Sequence, residues 1–306
     1  WIMIQFAGGV GLWVAERLGP NSIRASRPGY IEEIPINEKN NPNFLYSDNL
    51  IKFSKKKGWY SKGVFNVNKI FGDGKGRWKG VKWIEDEIKK LAKRKEKISL
   101  QNVMWSIRNP KLTGDTAGYG QIVPLFNPDY NDLRMLWHSP IGAVASTFSP
   151  VFMGQTIVPE EFMMHRYLTV GESHRFSDER KKNEKDTLSL ISQSVESTVS
   201  VVYECKRLLY LILQNEKLFF PFTTKIFENR EKNLINKTTQ ILKIAKILLI
   251  KNEKNFCEKI LNSFSVTELR NGLILIQTLS KRMEIHIRQT QGFEKNIKPR
   301  SFNQIW

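Results

Sequence analysis

From Leu188 onward the chain repeats apolar residues at helical spacing: Leu188, Ile191, Val195, Val199, Val202, Cys205, Leu209 and Ile212. These fall on one face of a helix of about seven turns, and a stripe that long must be covered by other elements. Two more helical patterns follow, over about 223–250 and 252–285. The part before residue 176 reads differently. Short apolar runs at 12–15, 121–126, 133–137 and 143–148 are separated by Gly, Pro, Asn and Asp, which is strand-and-turn chemistry. Helices are expected where Ser47 can cap a run ending at Gly58, over 77–95, and after Ser99, with Leu100, Val103, Met104 and Ile107 as the buried stripe. The chain therefore reads as α+β. A mixed domain spans 1–176, and a helical extension spans 177–306 after the polar run 181–185.

The net charge of +18 is unevenly placed. Residues 51–100 hold 16 Lys/Arg against 5 Asp/Glu, including Lys55-Lys56-Lys57 and a basic helix near 89–95. Trp59, Tyr60, Trp78 and Trp83 lie among these lysines, the combination a single-strand groove uses. No nucleic-acid motif accompanies them, and a solvated helix face is the preferred reading of the 52–97 segment. With 41% hydrophobic residues the chain can bury a core. No run approaches the ~18 apolar residues of a membrane span.

Two cysteines exclude a disulfide scaffold, and four histidines outside any His-x-x-x-His spacing give no legible metal site, so no cofactor is expected. Cys205 and Cys257 both sit on helical stripes and read as buried small hydrophobes. Gly8, Gly9 and Gly11 lack the following helix and Lys of a phosphate loop and fit a hairpin instead. Two polar clusters lie in turn-rich segments. One is Gly114-Asp115-Thr116-Ala117-Gly118-Tyr119-Gly120, where the glycines admit close backbone approach. The other is His165-Arg166-Tyr167-Leu168-Thr169, where an Arg fork can hold a carboxylate.

These residues carry a resemblance. Leu12-Trp13-Val14-Ala15-Glu16-Arg17-Leu18, Asn43-Phe44-Leu45-Tyr46-Ser47, Lys57-Gly58-Trp59-Tyr60, Phe65-Asn66, the 114–120 loop and the 165–169 stretch together resemble the dipeptidase–secernin family of cysteine peptidases. That family belongs to the N-terminal nucleophile (Ntn) hydrolase superfamily. The resemblance covers about residues 8–215 and implies an αββα sandwich. It also implies hydrolysis of peptide or related C–N amide bonds through an acyl-enzyme on an N-terminal Cys, whose own amine acts as base. No Cys precedes Cys205, so the resemblance implies either a nucleophile upstream of Trp1, in a longer enzyme of which this chain is a fragment, or a non-catalytic member of the fold that has lost it; the first is the expectation. Where family members carry an Asn after Ala, this chain offers Ser26 or Arg27.

The expectation is thus the C-terminal part of a dipeptidase-like hydrolase. Ser26, Arg27, Asp115, Tyr119, His165 and Arg166 are its substrate-binding residues, and the chain alone is without catalysis. A small peptide or amide substrate and a further copy of the chain are the expected partners; nucleic acid is not. A cytoplasmic location is expected, with any targeting signal upstream.

Overall fold

Alternation along Leu12–Glu16 buries Leu12 and Val14, and this strand (β2) organises the first part of the chain. The computed structural model describes residues 2–6, 11–17, 31, 33–38, 41–71, 79–93, 98–110, 119–124, 128–163 and 200–291. Strand β1 (Ile2–Phe6) pairs with β2 antiparallel, from Ile2↔Glu16 to Phe6↔Leu12, as a hairpin requires. Strands β3 (Glu33–Ile34) and β5 (Phe65–Asn66) pair separately. Strand β4 (Phe44–Tyr46) completes the first sheet in the order β1-β2-β4. Leu12, Val14, Ile31, Ile34, Leu50, Phe65 and Val67 form the core of this unit.

Helix α1 (Leu50–Lys56) begins at Asn49, not at a Ser47 cap. Ser47 is committed to the sheet: its hydroxyl accepts from Trp13 N at 3.2 Å while its own N–H donates to Trp13 O at 2.9 Å. Gly58, at φ +72°, ends α1 as expected, because the left-handed turn suits glycine. Helices α2 (Val67–Phe71) and α3 (Lys79–Lys93) follow.

Contacts divide the chain into compact units at 1–98 and 99–306. In the second unit, strands β6 (Gly120–Ile122), β7 (Met135–Ser139) and β8 (Ser149–Phe152) form an antiparallel sheet that shares one core with the late helices. Helix α4 (Leu100–Arg108) opens the unit with the expected Ser99 cap. The Ser99 hydroxyl accepts from Asn102 N at 3.2 Å, and Asn102 Oδ1 accepts from Ser99 N at 2.8 Å.

Three helices complete it: α5 (Val201–Gln214), α6 (Glu216–Ile250) and α7 (Lys254–Gln291). At 35 and 38 residues, α6 and α7 are roughly 52 and 57 Å long. Asn252, at φ 61°, closes α6, with Glu253 N donating to Leu248 O at 2.9 Å, and turns the chain directly into α7. Cys205, Leu208 and Ile212 of α5 meet Phe227 of α6 and Ile276 and Met283 of α7 in one core cluster. A second joins Met104, Trp137 and Phe152 to Leu234, Leu249 and Leu261.

Between these clusters runs the segment 141–150, of which every residue is buried. The strand expected over 143–148 does not form there. The segment is turn and loop, and regular pairing resumes only at Ser149. Buried irregular backbone must find partners for its polar groups, and side chains supply them. Arg108 Nε donates to Ala143 O at 2.9 Å. The Ser146 hydroxyl donates to Ile141 O at 2.9 Å, and Phe148 N donates to Glu231 Oε1 at 2.9 Å. Arg230 Nη1 donates to Phe148 O at 3.0 Å. Helix α7 comes close at Gly272, where a Cβ would stand 3.3 Å from Thr147 Cγ2.

The α+β class is therefore correct. Glu231→Gln leaves the buried Arg108 guanidinium without its counter-charge and is expected to cost about 3–5 kcal/mol of unfolding free energy in urea titration. Replacing both Arg108 and Glu231 by Leu removes the charges but leaves Ala143 O and Phe148 N without partners, and is expected to cost at least as much as that single change.

Candidate functional site

The polar heart of the second unit is built from the ends of α4 and the middle of α6. Arg108 and Glu231 are 1% and 2% exposed and form a two-pronged pair, with Nη1 on Oε2 at 3.0 Å and Nη2 on Oε1. The guanidinium lies between the Phe148 and Phe227 rings, 5.8 and 5.6 Å from their centroids. Glu231 also accepts from the Thr147 hydroxyl at 3.0 Å.

Next to it, Arg230 joins the same loop, at Phe148 O, to α7. Its Nη2 donates to Glu268 O at 2.6 Å and approaches Glu268 Oε2 at 3.3 Å, while Lys237 Nζ stands 3.4 Å from Glu268 Oε1. Arg230, Lys237 and Glu268 border a groove of ≈ 540 Å³ between α6 and α7. Each charge there already has a partner of opposite sign or a carbonyl. The arrangement clamps two helices to a buried loop and offers no spare guanidinium for a ligand carboxylate.

Both thiols are buried, as the sequence suggests. Burial pushes Cys205 far above the ordinary thiol value, and neighbouring Glu204 adds to the effect. Cys257 is raised by burial, then by Asp132 and Glu258, and its Sγ contacts Ala245 O at 3.7 Å. Neither environment produces a thiolate, the species a nucleophile needs. Among the described residues no three His, Cys, Asp or Glu side chains come together as a metal site.

Of the six expected substrate-binding residues, Ser26, Arg27, Asp115, His165 and Arg166 lie outside the described residues. Tyr119 is described, immediately before β6, and is 65% exposed. His138 lies in β7 opposite Gln121, and burial holds its imidazole below the ordinary value. Sequence reasoning missed Arg108 and Glu231. Both stand on amphipathic helices where a charged side chain signals a solvated face, and only the loop they serve distinguishes them.

No family profile matches the chain, and no solved structure matches it. Among curated proteins it is similar to a flagellar hook-length control protein homolog of Buchnera aphidicola subsp. Acyrthosiphon pisum (strain APS). The two are 24% identical over 139 residues, 44% of this chain and 58% of the relative. The chain thus spans less than two thirds of that relative's length. This likeness corrects the expected activity. A hook-length control protein is the relative found, not a hydrolase, so the dipeptidase assignment, the acyl-enzyme route and the reading as a cysteine-peptidase fragment are withdrawn. No described helix is long and apolar enough to cross a membrane.

Two measurements check this chemistry. Native chain at pH 8 is expected to leave both cysteines unlabelled by a thiol reagent, with both reacting once denaturant unfolds it. For His138, a lowered folded pKa means the unfolded chain takes up the proton first. Stability is therefore full above the ordinary 6.5 and falls as pH drops through it toward the folded value. His138→Gln is expected to flatten that acid arm in thermal melts.

Proposed function

We propose that this chain is a non-enzymatic assembly protein acting in flagellar hook-length control. The likeness to the Buchnera homolog carries the reading. The architecture of the second unit supports it. Control of a length is exerted by contacts with other proteins, and this requires rigid surfaces more than a reaction centre. Helices α6 and α7, locked by Asn252 at the turn and by the Arg230–Glu268 contact along their length, form such a support. Disrupting the coding sequence in the cell of origin and measuring hooks by electron microscopy is expected to broaden the length distribution. Unchanged hooks, or a cell of origin that builds no flagella, would remove the reading.

The resemblance to the Ntn hydrolases carries over as a proposal of fold alone, without peptidase chemistry. Its support is the presence of an antiparallel three-stranded sheet in each unit, β1-β2-β4 and β6-β7-β8. An experimental structure of the αββα class is the expected result, and any other architecture would end the proposal.

A further inference from the structure

Residues 49–71 contain six lysines and no Asp or Glu. All six, Lys52, Lys55, Lys56, Lys57, Lys62 and Lys69, are exposed, and none forms an ion pair among the described residues. The turn after α1 returns the chain on itself: Gly58 N donates to Lys55 O and Trp59 N to Ser54 O, both at 3.0 Å. This brings the Trp59 ring onto the edge of Phe53, at 5.8 Å and 71°, and of Phe71, at 5.9 Å and 90°. Trp59 is pinned by these contacts yet stays 52% exposed.

The lysine heads are stationed over neighbouring rings. Lys55 Nζ is 6.0 Å from the Tyr60 centroid, and Lys57 Nζ is 5.7 Å from that of Phe53. A fixed, half-open indole set among uncompensated ammonium groups has the two components of a single-strand platform, a stacking surface and phosphate neutralisation. An interfacial membrane helix would instead present an apolar stripe. The exposed positions of α1 are all lysine, and Leu50, Ile51 and Phe53 are turned into the unit.

We infer that the α1–α2 surface binds single-stranded nucleic acid, with Trp59 stacking on a base and Lys55, Lys56 and Lys57 on the flanking phosphates. This inference departs from the solvated-face reading of the segment for residues 50–71 and is independent of the flagellar proposal. Fluorescence anisotropy of the full chain with labelled oligothymidylate tests it. Binding is expected at low salt, with log K falling linearly in log salt. Trp59→Ala is expected to weaken binding at least about five-fold at fixed salt while leaving the slope unchanged, and Trp59→Phe to restore part of it. Replacing Lys55, Lys56 and Lys57 by Gln is expected to flatten the slope by about 2. Circular dichroism controls for folding. Absence of binding at low salt overturns the inference. So does binding that Trp59→Ala leaves intact, or tighter binding to phosphatidylserine vesicles than to the oligonucleotide.

Discussion

The second unit depends on one buried ion pair. The segment 141–150 is irregular and wholly buried, a combination that backbone hydrogen bonding alone cannot sustain. Arg108 and Glu231 resolve it together. Each neutralises the other, and each spends a remaining bond on the segment, Arg108 on Ala143 O and Glu231 on Phe148 N. The pair is thus less a source of stability by attraction than a means of making a polar loop fit an apolar interior. Charges so placed repay their desolvation only if all their bonds are made, and here the ring faces of Phe148 and Phe227 complete the shell.

This constraint also explains the placement of the domain boundary. Composition changes near residue 178, where strand-like runs give way to helical stripes, and a boundary drawn there separates β6–β8 from α5–α7. Packing ignores that change. Phe148 and Phe152 share a cluster with Leu234 and Leu261, and Ile141 and Val144 share one with Cys205 and Ile276. The helices cover a face of the sheet within one compact unit.

The elements with a local cause were legible in the sequence. The Ser99 cap, the Gly58 stop and the alternation of β2 each follow from neighbouring residues alone. Of the stripe expected from Leu188 onward, Cys205, Leu209 and Ile212 are buried in α5, Val202 is exposed, and Leu188, Ile191, Val195 and Val199 lie outside the described residues. What escaped had a distant cause. Ser47 has the chemistry of a helix cap, but Trp13 lies across the sheet to claim it. The 143–148 segment has the hydrophobicity of a strand, but it is turn and loop whose backbone is satisfied by Arg108 and Glu231 from distant helices. The candidate site was least legible. Five of its six expected residues fall outside the described ones, and the resemblance that proposed them gave way to a relative of another class.

Arg108 and Glu231 are 123 residues apart in the chain. During synthesis at about 5–20 residues per second, Arg108 emerges on the order of 6–25 s before the carboxylate that lets the segment 141–150 be buried. Until then Arg108, on α4, keeps its water and the segment 141–150 has no interior to enter. The core of the second unit is complete only once α6 and α7 have been made.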